Sequence, residues 1–208
     1  MDSAIDISTA RELVSDRVLW PLVRDFLWDF APQIHPSWLE GFSPVERKVD
    51  SWILRELGVV PCFHTFPKGD LSRLMLVDGG TLMEISRWLG AISCAGRLRR
   101  ITGGAAVRAL KGALPGVYPG VFAYTMYFRQ MADEGGSGEV SPDEVVATGV
   151  AMLKSYAAKL QEPLKRRFAL KLPKPGDGVA ASDVDGRPPI NLQLLLKLRF
   201  PEVHSLCF

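Results

Sequence analysis

The sequence predicts a mainly α fold: an irregular multi-helix single domain over residues 1–208, with at most one short β-hairpin. Three observations carry that expectation. Ser/Thr-x-x-Glu capping boxes recur at Ser43–Glu46, Thr81–Glu84 and Ser141–Glu144, each just ahead of apolar residues spaced three and four apart. The 208 residues are 47% hydrophobic and 23% charged, which suits a globular chain able to bury a core without disulfide or metal staples. Only one stretch, RFALKLP, alternates with the period of a strand.

The elements follow in order. Ser8, Thr9 and Glu12 open a helical pattern that runs to about Trp20, and Pro21 kinks it or starts a second helix through LVRDFLWDF. APQIHPSWLEGF, with two prolines and a glycine, reads as a turn with one short helical turn at Ser37–Glu40. In SPVE, Ser43 caps, Pro44 takes the first helical position and Glu46 closes the box. The stripe Val45, Val49, Trp52, Ile53 and Leu57 follows, and Gly58 ends that helix. VVPCFHTFPKGD is interrupted by Pro61 and Pro67, so it reads as an extended packed loop. LSRLMLV is a short helix, and after Thr81 the residues Leu82, Ile85, Trp88, Leu89 and Ile92 share one face against the core, with Arg87 opposite. CAGRLRRIT and GAAVRALKGAL are two further helices, parted by Gly103-Gly104 and stopped by Pro115-Gly116.

Tyr118, Phe122, Tyr124, Tyr127 and Phe128 then crowd the segment to Met131, which is expected to be a buried helix. ADEGGSGE reads as a flexible acidic loop near 133–140. Ser141–Glu144 opens a helix with the stripe Val146, Val150, Leu153, Ala157 and Leu160, ending near Pro163. Phe168, Leu170 and Leu172 alternate with Arg167, Ala169 and Lys171, which predicts one short strand. A second flexible loop spans 173–189, with four prolines and three glycines between Leu172 and Pro189, before helix returns from Asn191.

Signatures of catalysis are absent from this pattern. His35, His64 and His204 stand far apart, with neither HExxH nor HxH spacing, and Cys62, Cys94 and Cys207 include no CxxC. No serine sits in a GxSxG elbow, and no glycine pair precedes Lys-Ser or Lys-Thr. The acidic loops lack the spacing and closing Glu of an EF-hand. The expectation is a protein that is not an enzyme, with no catalytic residue, no cofactor and no metal. Three scattered cysteines suit a reducing compartment, and the acidic N-terminus has no apolar run of a secretory signal. No stretch approaches the roughly 20 apolar residues that cross a bilayer.

Charge is the feature that stands out. The 25 basic and 23 acidic side chains leave only +2 overall, too little for bulk attraction to polyanions. Yet residues 1–60 carry ten acidic and six basic side chains, whereas residues 61–132 carry nine basic and three acidic. Residues 133–162 have six acidic against two basic, and 163–208 eight basic against four acidic. Arg97, Arg99, Arg100, Arg108 and Lys111 form one basic cluster and Lys165, Arg166 and Arg167 a second. They read either as a basic face for an acidic protein partner or for phosphates, or as charges paired internally with the acidic N-terminal helices. A different reading makes GRLRRITGGAAVRALKG a helix-turn-helix-like unit of a nucleic-acid-binding or regulatory module, since Arg108 and Lys111 lie three apart on one helix face.

The order of segments resembles the SctK (YscK-like) group of type III secretion proteins. The similarity lies in LSRLMLVDGGTLMEISRWLGAISCAGRLRRITGGAAVRALKGAL, in RRFALKLP followed by a Pro-rich gap and LLLKLRFPEVHSLCF, and in the Pro-Trp segment FAPQIHPSWL. The resemblance spans nearly the full chain in order and composition, without a sharp chemical motif. It implies a cytoplasmic adaptor of the injectisome sorting platform, peripheral to the inner membrane. It further implies two protein partners, the cytoplasmic domain of an SctD-like ring protein and an SctQ-like pod protein. A monomer in isolation, with no nucleic acid and no membrane insertion, completes the expectation.

Overall fold

Apolar side chains at helical spacing account for most of the architecture in the computed structural model, which describes residues 30–40, 42, 54–59, 66–69, 71–131, 140–174 and 190–208. The α-helices among these are α1 (Gly79–Ser93), α2 (Ala95–Leu98), α3 (Gly104–Ala113), α4 (Val121–Tyr124), α5 (Pro142–Tyr156), α6 (Glu162–Lys171), α7 (Leu192–Arg199) and α8 (Pro201–Cys207). Short 3-10 helices add Ala31–Gln33, Pro36–Trp38, Leu71–Leu76, Thr125–Met131 and Ala157–Lys159. The mainly α expectation holds, and no strand occurs among the described residues. The helices expected before Phe30, the Ser43–Glu46 box, most of the extended segment after Val59 and nearly all of both expected loops lie outside the described residues.

Backbone contacts gather into two compact units. The first takes the described residues up to Gly79 together with Ala157–Lys174 and Phe200–Phe208; the second takes Gly80–Tyr156 and the described residues up to Arg199. In the first, Phe30, Ile34, Phe66, Leu74, Met75, Leu164, Phe168, Leu170 and Leu172 are buried. Gly58 ends a helical turn at φ +68, with Val59 N–H donating to Leu54 O (2.7 Å) and Gly58 N–H to Arg55 O (2.9 Å). That pair of bonds is the left-handed cap expected of a glycine just past a helix. The last carbonyls of α8 are satisfied from outside the helix. Gly69 N–H donates to Cys207 O at 2.8 Å, and Arg73 bridges Phe66 O (2.8 Å) and Leu206 O (3.1 Å).

The strand expected at 168–172 is corrected to α6. Its buried face is Leu164, Arg167, Phe168 and Lys171, with Leu170 beside it, a spacing of three and four that includes two cations. Reading Arg167 and Lys171 as solvent-facing produced the apparent period of two. Both are buried against partners of different kinds: Arg167, 2% exposed, lies 5.3 Å from the centre of the Phe30 ring, and Lys171, 1% exposed, donates to Met75 O (2.6 Å) and Val77 O (2.9 Å). The Pro-Trp segment fastens the end of the same helix. His35 N–H donates to Leu170 O (2.8 Å), Trp38 Nε1 to Leu172 O (2.7 Å) and Lys174 N–H to Ser37 Oγ (2.9 Å). The short helical turn is Pro36–Trp38, one residue ahead of its expected start, because the His35 ring accepts from Ser37 N–H and so caps Pro36 onward.

In the second unit the expected α1 stripe is buried whole, with Leu82, Ile85, Trp88, Leu89 and Ile92 all at 1% exposure or less. The helix starts at Gly79, so Thr81 is not its cap and that box does not form as predicted. The Ser141 box half forms: Glu144 N–H donates to Ser141 Oγ at 3.1 Å, while the Glu144 carboxylate turns to Arg97. The face of α5 is Val145, Thr148, Gly149 and Met152 as much as Val150 and Leu153, and Val146 is only half-buried. The shift has a cause. Helices α1 and α5 cross backbone to backbone, so close that a Cβ on Gly149 would lie 1.7 Å from Ser86 O and one on Gly90 1.8 Å from Val145 O.

The aromatic segment is not one buried helix. It is α4 followed by the 3-10 stretch, which breaks at Phe128 (φ −123, ψ 35). Val121 and Phe128 turn inward, whereas Met126 and Tyr127 are 61% and 56% exposed. Aromatic density alone does not set a period, and the segment carries no run of residues three and four apart long enough to fix one buried face.

Candidate functional site

The eight cations singled out by charge fall in both units. Those of the first unit are built into the fold. Arg167 is buried over Phe30, and Arg166 donates from Nε to Leu57 O (2.9 Å) while its guanidinium lies 5.4 Å from the Trp38 ring. Lys165 pairs with Glu162 one turn back at 2.8 Å. This cluster therefore organises packing around α6, with Lys165 the most accessible member.

In the second unit the cations occupy different settings. Arg97 grips Glu144 with both guanidinium nitrogens, and this hydrogen bonding raises its pKa above the usual arginine value against the opposing effect of burial. Its partner is thus a carboxylate at the start of α5. Arg99 is exposed at its edge, but one guanidinium nitrogen donates to Thr125 Oγ1 and the group lies 5.8 Å from the Phe122 ring. Arg100, Arg108 and Lys111 are exposed, and none has an ion-pair partner among the described residues. Helix α3 buries only Leu110, so Arg108 and Lys111 stand on a helix that presents most of its surface outward.

Beside this basic run lies what sequence reasoning missed. Thr125, 3% exposed, passes its own hydroxyl hydrogen to Phe122 O (2.9 Å) while accepting from Arg99. The next two residues, Met126 and Tyr127, are the most exposed large hydrophobics among the described residues. A second missed feature is Arg199 of α7, whose guanidinium sits 4.4 Å from the Trp88 ring centre and 5.4 Å from that of Tyr124, with a 3.2 Å bond to the Tyr124 hydroxyl. Trp88 and Tyr124 meet edge to face at 5.2 Å. The only signal for this stack was an arginine at the end of a leucine-rich helix, LQLLLKLR, where it looks no different from Lys197 two residues before.

Groups with shifted titration are structural in setting. Burial pushes the Lys171 amine down to about 7, the neighbouring Asp78 charge opposing it in part. The amine's known donors point at two backbone carbonyls, as a cap on the 3-10 helix Leu71–Leu76. Burial likewise raises the Cys207 thiol to about 11 and the Tyr156 phenol to about 12, the latter donating to Ile190 O. Lys154 is lowered by burial. Among the described residues no three His, Cys, Asp or Glu side chains gather at metal-ligating distance, and no helix is long and apolar enough to cross a membrane. His35 caps a turn and His204 packs against Phe208 at 5.3 Å.

Comparison with protein families, curated proteins and solved structures finds no match to the chain.

Proposed function

We propose that the protein is a non-enzymatic helical adaptor that joins two protein surfaces in the sorting platform of a type III secretion injectisome. Its partners in this reading are the cytoplasmic domain of an SctD-like inner-membrane ring protein and an SctQ-like pod protein. The observation that supports docking is the distribution of positive charge. Arg99, Arg100, Arg108 and Lys111 are exposed along one stretch of the second unit, whereas Arg73, Arg167 and Lys171 of the first unit are buried in packing roles. Exposed cations of this kind steer an acidic partner and set its association rate. The choice of secretion platform rests on the resemblance of the 71–114 and 166–208 segments and of the Pro-Trp segment to the SctK group.

Interferometry of the full chain against each purified partner domain tests this. Wild type is expected to bind both. The variant Arg100→Glu/Arg108→Glu/Lys111→Glu is expected to lose association rate and salt sensitivity toward one partner and keep the other. Wild type that binds neither refutes the adaptor reading. Tight binding to random duplex DNA that weakens steeply with salt would replace it with the nucleic-acid module.

A further inference from the structure

The basic run and the exposed Met126–Tyr127 pair are joined by a structural link. Arg99 donates to Thr125 Oγ1 and lies over Phe122, whose ring meets Tyr118 edge to face at 5.6 Å. Thr125 is thereby held, and the backbone turn at Phe128 sends that ring inward while the two residues between point out. The result is an apolar ledge that directly follows the Arg99-bound Thr125 in sequence and has a buried residue, Thr125 or Phe128, on either side. Met and Tyr at 61% and 56% exposure in the residues that follow an arginine-bound threonine match the make-up of energetic centres in protein interfaces, which are enriched in Tyr, Met and Arg.

We propose that this ledge is the anchor point for a large apolar side chain carried on an acidic protein segment, whose carboxylates pair with Arg100, Arg108 and Lys111. The inference deepens the docking reading above and rests on it. The charge on the page dictates the sign of the occupant: three exposed cations without partners among the described residues lie within twelve positions, on α3 and the turn before it. The ledge dictates its second property, because a purely polar chain gains nothing from covering Met126 and Tyr127. A single-stranded nucleic acid fits less well. It needs successive aromatic faces for its bases, and Tyr127 is the one aromatic among the exposed large hydrophobics of the described residues.

The test uses the full chain and fluorescence anisotropy with three labelled probes. The first is a short peptide of Glu and Ser with a central Phe-Leu pair. The second has that pair replaced by Ser-Ser, and the third is an oligothymidylate of equal length. Wild type is expected to bind the Phe-Leu peptide about tenfold tighter than the Ser-Ser peptide, the scale of one anchor residue. Met126→Ser/Tyr127→Ser should erase that advantage and leave the salt dependence intact. Arg100→Glu/Arg108→Glu/Lys111→Glu should weaken both peptides together and flatten the salt dependence. Thermal melts confirm folding, and should the double variant melt early, Tyr127→Ser alone gives the same readout. An advantage that survives the ledge variants, or an oligothymidylate that binds tighter than either peptide, overturns the proposal. If the chain binds an SctD-like or SctQ-like domain but shows no Phe-Leu preference, the anchor is wrong and the adaptor reading stands. Preference without either partner shows the reverse.

Discussion

Gly149→Ala should destabilise the protein even though alanine is the better helix former. In the middle of an exposed helix this exchange is worth about 1 kcal/mol in favour of alanine. Here the added Cβ would sit 1.7 Å from Ser86 O, 2.6 Å from Ser86 C and 2.9 Å from Gly90 N, all backbone atoms that cannot rotate away. Carbon and oxygen need about 3.2 Å or more, so α1 and α5 must separate by roughly 1.5 Å along that contact. A gap of ~1 Å already forfeits up to half of the dispersion attraction across an interface, and overpacking by a methyl costs typically about 1–3 kcal/mol, more when backbone must move. With the cost at the upper end of that range the clash wins, with a net loss of about 2 kcal/mol, which lowers the melting temperature by roughly 4–8 °C for a chain of this length. Circular dichroism melts of Gly149→Ala and Gly90→Ala check it. Gly112→Ala is the matched control, because a Cβ there meets nothing within 4 Å on the exposed α3, and it should stabilise by up to about 1 kcal/mol. If Gly149→Ala melts at or above wild type while Gly112→Ala behaves as stated, the close crossing of α1 and α5 is wrong.

Arg97→Glu should cost about 1–2 kcal/mol by facing Glu144 with a second carboxylate, whereas Arg100→Glu should stay within about 0.5 kcal/mol of wild type; guanidinium unfolding separates the two, and equal midpoints would show the Arg97 pair to be immaterial. Stability should also depend on pH through Lys171. Its folded pKa near 7 lies below the unfolded value of 10.5, so the unfolded chain holds the extra proton between those values and the Lys171 contribution to stability rises with pH there, by at most about 1.4 kcal/mol per unit. The stability difference between wild type and Lys171→Met, followed from pH 7 to 9, should move in favour of wild type; a constant difference would mean that the amine is not buried as described.

How far the fold could be read from residues depended on what covers each helix face. The α1 stripe was legible because all its core positions are apolar, and Gly58 because a left-handed cap asks for glycine. Helix α6 was not, since Arg167 and Lys171 belong to its buried face and look like solvent residues until Phe30 and the carbonyls of Met75 and Val77 are seen beside them. The α5 face was displaced for a similar reason: a glycine that lets two backbones touch has no hydropathy to announce it. In the candidate site, the basic run at 99–111 was visible as charge, but the loss of Arg97 to Glu144 and the exposure of Met126 and Tyr127 depend on partners and turns distant in sequence. Hydropathy reads what a residue is, whereas these outcomes turn on which neighbours it meets.

The two units are interleaved along the chain, and that governs how the protein can be taken apart. The first is assembled from residues up to Gly79, from Ala157–Lys174 and from Phe200–Phe208, so the second interrupts it twice and is itself interrupted by α6. The first unit needs both ends of the chain, and the shortest continuous piece that holds the second, residues 80–199, carries α6 of the first with it. Residues 80–156 expressed alone would lack α7, with its buried Leu192, Leu195 and Leu196, and would remove the Arg199 guanidinium from Trp88. A piece ending at Gly79 would lack the Leu170 and Leu172 carbonyls to which His35 and Trp38 are tied. A cut after Gly79 or after Tyr156 therefore breaks a unit rather than separating the two. Point substitution on the intact chain leaves both units whole where truncation at those positions does not.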